Sequence, residues 1–287
     1  MEIINRIPRM RMLSRKLRRD NRKIGFVPTM GALHDGHLSL IRRAQQMSDV
    51  VIVSIFINPI QFGPSEDFEV YPRDLARDAE QIANKGVDYL FAPSIDEMYP
   101  EDFMTYVVTE NLSSRLCGAS RPGHFRGVTT IVNKLFNIIT PDFAFFGQKD
   151  AQQVIIIQRM VRDLCMDTEV VVCPIIREAD GIAMSSRNQY LDPEERQAGL
   201  VLYRSLDLAR RLYQDGERDC PKIVGAIREL IEKEPLARID YIAAVDVDTL
   251  EPLNEIDDET SVLIALAVFI GRTRLIDNIV LKPEIEN

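Results

Sequence analysis

The stretch IGFVPTMGALHDGHLSLIRRAQQM, residues 24–47, decides the fold. It opens with an apolar run at residues 24–28, crosses a glycine-bearing turn, and continues at 38–47 with leucine and isoleucine at helical spacing. Strand, turn and helix in that order begin a βαβ unit, which implies a parallel sheet. Further apolar runs bounded by turn residues, at 50–57, 87–91, 143–146 and 170–173, read as buried strands. Helical stretches at 75–84, 129–139 and 151–164 fall among them. The expected fold class is therefore α/β, a Rossmann-like parallel sheet with helices on both faces. Ligands bind such sheets beyond the carboxyl ends of the strands, where the strand order reverses. The strand-to-helix turns are where chemistry is expected.

After residue 180 the pattern changes. Two helical stretches, 193–213 and 221–232, precede strand-like runs at 241–247, 262–268 and 273–280. A chain of 287 residues exceeds the size at which one core stops growing. Two domains are expected: residues 1–178 as the Rossmann-like nucleotide-binding domain, and residues 179–287 as a smaller C-terminal α+β domain closing over the site.

Lys and Arg number 35 against 44 Asp and Glu, a formal net charge of −9, which excludes a surface devoted to nucleic acid or acidic membranes. Any anion site must be local. The basic segment 9–23 is flanked by Glu2, contains Asp20 and runs directly into a strand, so it reads as a surface helix of the mature chain rather than a transit peptide. No apolar stretch approaches the ~20 residues a membrane span requires, and a soluble protein is expected. The four cysteines form no CxxC pair. Cys165 and Cys173, among apolar neighbours, read as buried reduced thiols, and a cytoplasmic location fits.

Four turns carry candidate chemistry. In the first, Met30, Gly31, Ala32 and Leu33 lead into His34, Asp35, Gly36 and His37 at a helix start. The open N–H groups and dipole of a helix start favour phosphate, and two histidines three residues apart share a face. The same stretch also reads as a glycine-rich turn with incidental histidines, or as two zinc ligands lacking a third, since His124 is the only other histidine. The second turn, Gly147-Gln148-Lys149-Asp150, puts a point charge where phosphate oxygens can be reached, with Gln152 and Gln153 following. The third, Met184-Ser185-Ser186-Arg187, supplies hydroxyls and a guanidinium near the domain junction. The fourth, Asn58 to Gly63, offers the Gln61 amide and an aromatic wall in Phe62. Arg121, His124 and Arg126 form a further cationic loop. Taken singly, each also reads as an ordinary polar loop. Neither GxxxxGK[ST] nor GxGxxG after a strand occurs, so the P-loop and dinucleotide signatures are absent.

Together the motifs PTMGALHDGH (28–37), NPIQFGPSEDFEVYPR (58–73), RPGHFRGVTT (121–130), FFGQKDAQQ (145–153) and READGIAMSSRNQYL (177–191) resemble the pantothenate synthetase, or pantoate–β-alanine ligase, family. One departure is Asp35, where many members carry glutamate. The family is of the nucleotidylyl-transferase-like Rossmann group. The resemblance implies ATP-dependent activation of pantoate as an adenylate, followed by transfer to β-alanine with release of AMP and pyrophosphate. It implies that His34 and His37 meet the phosphates with His37 as proton donor, and that Lys149, Ser185, Ser186 and Arg187 hold the triphosphate. Met30 to His37, Gly147 to Asp150, Met184 and the backbone at Ile176 would frame ATP. Gln61 and Gln153 would bind pantoate, with Gln61 also near β-alanine. Mg²⁺ would bridge phosphate oxygens without a dedicated protein metal site, and a homodimer is implied. An adenylyltransferase on the same fold is the nearest rival; it would need a cationic pocket for an acceptor phosphate.

Overall fold

The computed structural model describes residues 1–64, 66–257 and 259–282. It divides into two compact units. The first comprises Met1–Ser114, Arg121–Gln148 and Gln152–Pro174; the second comprises Arg115–Ser120, Lys149–Ala151 and Ile175–Asn287.

The chain opens with strand β1 (Glu2–Ile4), helix α1 (Ile7–Arg19), β2 (Ile24–Thr29), α2 (Asp35–Met47) and β3 (Val50–Ile55). There follow α3 (Leu75–Ala83), β4 (Tyr89–Phe91) and the single turns α4 (Ile95–Met98) and α5 (Cys117–Ser120). Next come α6 (His124–Ile139), β5 (Phe143–Gly147), α7 (Ala151–Asp163) and β6 (Glu169–Cys173). The remaining elements are α8 (Pro193–Gln214), α9 (Cys220–Ile231), β7 (Ala237–Asp246), β8 (Val262–Ile270) and β9 (Thr273–Leu281).

Strands β1 to β6 form one parallel sheet in the order β1-β4-β3-β2-β5-β6. From β2 the chain builds outward through β3 and β4, then returns to the other side of β2 with β5. The order therefore reverses between β2 and β5, and both strands end in turns singled out above. Alternate residues explain the two covered faces. Val27, Val51, Val53, Leu90 and Phe145 join Leu38, Ile41 and Ala44 of α2 and Ile82 of α3 in one core. Phe26 points the other way, and its ring lies edge-on to Phe136 of α6 at 6.4 Å. Each such side chain contributes about 1.5–3 kcal/mol by leaving water, so a one-residue slip of either central strand would exchange its two buried faces.

Several features differ from the sequence reading. Strand β1 is too short to show periodicity, and it is a strand because Glu2 to Ile4 pair with Tyr89 to Phe91. Helix α6 starts at His124 rather than 129, with Gly123 as its cap at φ +86°. Gly127, which resembles a breaker in sequence, sits inside that helix because a Cβ there would lie 2.5 Å from the Ile60 carbonyl oxygen. Cys165 is exposed, contrary to expectation, because it lies past the end of α7 in the left-handed conformation at φ +51°. Cys173 is buried as expected, and burial pushes its thiol up against the opposing charge of Arg43.

In the second unit β7, β8 and β9 form an antiparallel sheet in that order. Ile264, Leu266 and Val268 of β8 pack with Leu202 and Leu206 of α8 and with Ile223, Ile227 and Ile231 of α9. Helix α8 begins at a capping box: the Asp192 side chain accepts from the Glu194 and Glu195 N–H groups, and Glu195 reaches back to the Asp192 N–H. Strand β7 starts four residues earlier than its apolar run indicates, since a register shift between Ile239 and Tyr241 interrupts the alternation.

Candidate active site

The turn leaving β2 is held from three directions. Thr29 Oγ1 donates to the Ser54 carbonyl at 2.7 Å and accepts from the Gly31 N–H at 3.2 Å. Gly31 and Ala32 both take positive φ, at +84° and +50°. The Ala32 and Leu33 N–H groups then donate to the two carboxylate oxygens of Asp78, each at 2.9 Å. Asp78, on α3, is 4% exposed. Only glycine fits at 31, because a Cβ there would lie 2.9 Å from Asp78 Oδ2.

The start of α2 is closed by its own histidines. His34 is the cap residue; its Nδ1 accepts from the Gly36 N–H at 3.2 Å, while His37 Nδ1 accepts from the His34 N–H at 3.3 Å. The backbone donors of this turn, open in the sequence reading, are thus largely paired within it. The capping bonds also set the tautomer of both rings. A neutral imidazole that accepts at Nδ1 carries its proton on Nε2, so His34 and His37 are each Nε2–H donors. Their ring centroids are 4.1 Å apart at 39°.

The turn after β3 is a 3-10 turn, Pro59–Gln61. Gln61, 8% exposed, accepts at Oε1 from Asn58 Nδ2 at 2.9 Å, and its Nε2 contacts Met30 Sδ at 3.1 Å. The structure therefore brings Gln61 and the β2 turn together. Phe62 packs against Phe68 and Tyr71, with centroids at 5.3 and 5.8 Å. Arg121 is engaged by Glu66 through two bonds of 2.7 and 2.5 Å, and also meets His124 Nε2 at 3.0 Å. His124 Nδ1 bonds the Gln61 carbonyl at 2.8 Å. Arg126 lies over the Tyr106 ring at 4.6 Å. Arg121 and His124 brace the wall around Gln61, and His124 and Arg126 lie in the first turn of α6 rather than in a loop. Burial raises the Glu66 carboxyl, but the hydrogen bond and charge of Arg121, with the Gly63 backbone and His124, bring it below the ordinary value.

Beyond β5, Gly147 closes the strand and Gln148 to Asp150 form a 3-10 turn. Gln152 is buried and donates to the Leu112 carbonyl at 3.0 Å, whereas Gln153 is half-buried. Within the second unit the Lys149 ammonium lies 3.7 Å from Asp150, and Asn278 of β9 donates to the Lys149 carbonyl at 3.0 Å. The stretch from Ile176 to Met184 is a tight hairpin in which Met184 N–H donates to the Ile176 carbonyl at 2.9 Å and Arg177 bridges Ala183. Arg177 forks onto buried Asp277 at 2.7 and 3.0 Å, anchoring the hairpin to β9. Ser185 caps the 3-10 turn Ser186–Tyr190 by accepting from the Arg187 N–H at 3.3 Å. Asn188 ties that turn to Glu178 at 2.6 Å and to the Ala183 carbonyl at 3.0 Å.

Sequence reasoning missed Asp78, the contact on which the β2 turn rests. A signal was present: Asp78 precedes Ile82 by one helical turn, so a carboxylate occupies the face that α3 buries. Asn278 had no comparable signal within its strand.

A parallel sheet whose order reverses between β2 and β5, with paired histidines at the turn from β2 to α2 and a lysine in the turn after β5, defines a nucleotidyltransferase-like α/β enzyme. The family model described as pantoate-beta-alanine ligase matches residues 2–280, and the chain belongs to that family, whose members join pantoate to β-alanine. The pantothenate synthetase of Heliobacterium modesticaldum is 57% identical over 282 residues, 98% of this chain and 100% of that protein. That of Pelotomaculum thermopropionicum is 56% identical over 281 residues, 98% and 99% of the two chains. Among solved structures, the pantothenate synthetase of Thermus thermophilus superimposes with a TM-score of 0.91 at 43% identity, covering 99% of this chain and 100% of its own. The Francisella tularensis pantoate-beta-alanine ligase, solved with beta-gamma ATP and beta-alanine, gives 0.78 at 36% identity over 97% of each chain.

Proposed function

We propose that this ligase works in two ATP-dependent steps through a pantoyl adenylate. A carboxylate oxygen of pantoate attacks the α-phosphorus of ATP, forming the acyl phosphate bond as pyrophosphate leaves. The amine nitrogen of β-alanine then attacks the acyl carbon, AMP departs with the bonding electrons and the nitrogen releases one proton, giving pantothenate. Activation is required because oxide is a poor leaving group and AMP a good one. The first step gathers negative charge on pyrophosphate, so catalysis rests on placed donors and cations.

The observation that carries this reading is the reciprocal capping of His34 and His37, which engages both Nδ1 atoms and sets two Nε2–H donors on neighbouring rings. Such a pair suits adjacent phosphate oxygens, with His37 donating a hydrogen bond from Nε2–H to the developing oxyanion. Lys149, Ser185, Ser186 and Arg187 hold the triphosphate; Met30 to His37, Gly147 to Asp150, Ile176 and Met184 frame the nucleotide. Gln61 and Gln153 hold pantoate, with Gln61 also beside β-alanine. The bound molecules of the Francisella relative support the choice of ATP and β-alanine.

Mg²⁺ enters with ATP as part of the substrate, coordinated by phosphate oxygens as hard cations are. Among the described residues no cluster of three or more His, Cys, Asp or Glu side chains is arranged to hold a metal. No helix among the described residues is long and apolar enough to cross a membrane. The family resemblance carries the further reading of a cytoplasmic homodimer, and the four free cysteines suit a reducing compartment.

The test is ATP–pyrophosphate exchange. Exchange should require pantoate and proceed without β-alanine; adding β-alanine should then release AMP. Exchange indifferent to pantoate, or ADP as product, would overturn the mechanism.

A further inference from the structure

Behind Gln61 lies a chain of hydrogen bonds that the reaction as described does not use. The Tyr99 hydroxyl donates to Asn58 Oδ1 at 2.8 Å. Asn58 Nδ2 donates in turn to Gln61 Oε1 at 2.9 Å and to the Gly127 carbonyl at 3.1 Å. Gln61 Nε2 lies at the end of the chain, against Met30 of the β2 turn. Asn58 is only 1% exposed, so water cannot stand in for a missing partner.

The chain has a direction. A primary amide accepts at oxygen and donates at nitrogen, and its two ends are equal in shape. Which end of Gln61 faces outward therefore depends on what lies behind it. A backbone carbonyl only accepts, so Gly127 draws Asn58 nitrogen toward itself and leaves Asn58 oxygen facing Tyr99. The hydroxyl supplies the donor that oxygen needs. Burial, with neighbouring Tyr106, pushes the Tyr99 hydroxyl well above the ordinary phenol range, so it keeps its proton throughout the working pH range. Its ring is fixed by Phe56 and Phe103, with centroids at 6.0 and 5.0 Å. The Lys134 ammonium lies over the same ring at 5.0 Å and donates to the Met98 carbonyl next door.

We infer that Tyr99 is a positioning residue: acting through Asn58, its hydroxyl orients Gln61 so that the amide N–H side, not the carbonyl, is presented to the anionic substrate. This rests on the reading of Gln61 as a pantoate ligand. An N–H face attracts a carboxylate or a hydroxyl oxygen; a carbonyl face would repel the carboxylate. Removing the hydroxyl strands a buried oxygen and lets both amides reorient.

The experiment is a double-mutant cycle on Tyr99→Phe and Gln61→Ala, reading the KM for pantoate and the KM for ATP in pyrophosphate exchange. Phenylalanine keeps the ring and its packing. Tyr99→Phe alone should raise the pantoate KM about 10-fold, the loss expected for one hydrogen bond to a buried polar group, while leaving the ATP KM within about 2-fold. In the Gln61→Ala background the same change should alter the pantoate KM by less than about 2-fold, because the group it orients is gone. Equal multiplication in both backgrounds, or an equal rise in both KM values, overturns the relay while leaving Gln61 as a ligand. A Gln61→Ala enzyme with unchanged pantoate KM overturns the substrate assignment and the relay together. If thermal melting shows Tyr99→Phe to be unfolded, Asn58→Leu interrupts the same chain at its next member and is judged by the same two comparisons.

Discussion

Replacing Asp78 with asparagine keeps the volume of the side chain and removes its ability to accept from two N–H groups at once. In the native turn both carboxylate oxygens accept at 2.9 Å, from Ala32 and from Leu33. Asparagine can satisfy one of these donors, but its NH₂ then faces the other. A hydrogen bond to a charged group contributes about 1.5–3 kcal/mol, and a buried donor left unpaired costs a similar amount. The substitution should therefore cost about 2–3 kcal/mol, and Asp78→Ala, which loses both bonds, about 3–6 kcal/mol. Where that energy appears decides its meaning. If it falls on the turn alone, 2–3 kcal/mol lowers the ordered fraction of the site by roughly 30- to 150-fold. Pantoate-dependent exchange should drop accordingly, with the urea midpoint nearly unchanged. If the turn is coupled to the sheet, the midpoint falls and exchange per folded molecule is largely kept. Urea unfolding and exchange measured on the same preparation separate the two. An Asp78→Asn enzyme with both stability and exchange at wild-type values would refute the role assigned to this carboxylate.

Two further substitutions probe neighbouring contacts. His37→Ala removes an Nε2–H donor and half of the capping box; exchange should fall by about 100-fold or more, while the cap costs about 1 kcal/mol. Full activity in that variant would remove His37 from the mechanism. Glu66→Gln tests the brace with Arg121. The Glu66 pKa is lowered from its ordinary value of 4.5, so its contribution to stability is present above that pH and is lost as pH falls through the folded value. Wild type should exceed the variant by about 1 kcal/mol at pH 7, given partial exposure. In urea titrations the difference should hold to about pH 5 and shrink at lower pH; a difference that persists unchanged in acid would contradict the ion pair.

Much of the sheet was legible in the residues themselves. The buried strands β2 to β5 are apolar on both sides, and a run such as Val50 to Ile55 announces itself without reference to any partner; β6, expected to be buried, lies at the sheet edge and leaves Val172 42% exposed. The spacing of the two histidines of α2 was legible, since residues three apart share a face, but their capping bonds, which close N–H groups the sequence reading left open, were not. Strand β1 and the first turn of α6 were not legible. One exists through its partner strand; the other starts from Gly123, which takes φ +86° as the cap, and continues through Gly127, which is needed where the Ile60 carbonyl approaches.

The sequence by itself determined the make-up of the local turns: the HDGH helix start, the GQKD turn and the SSR segment are each encoded within a few adjacent positions. Only the tertiary structure decided what supports them. Asp78 reaches Ala32 and Leu33 from 46 and 45 residues away, and Tyr99 reaches Asn58 from 41. No local pattern encodes such pairs. A hydrogen bond depends on distance and direction in space, and the order of the strands sets these rather than the order of the residues. For the same reason the Ala32 and Leu33 donors, which the local sequence offers to phosphate, are held by a carboxylate from another helix.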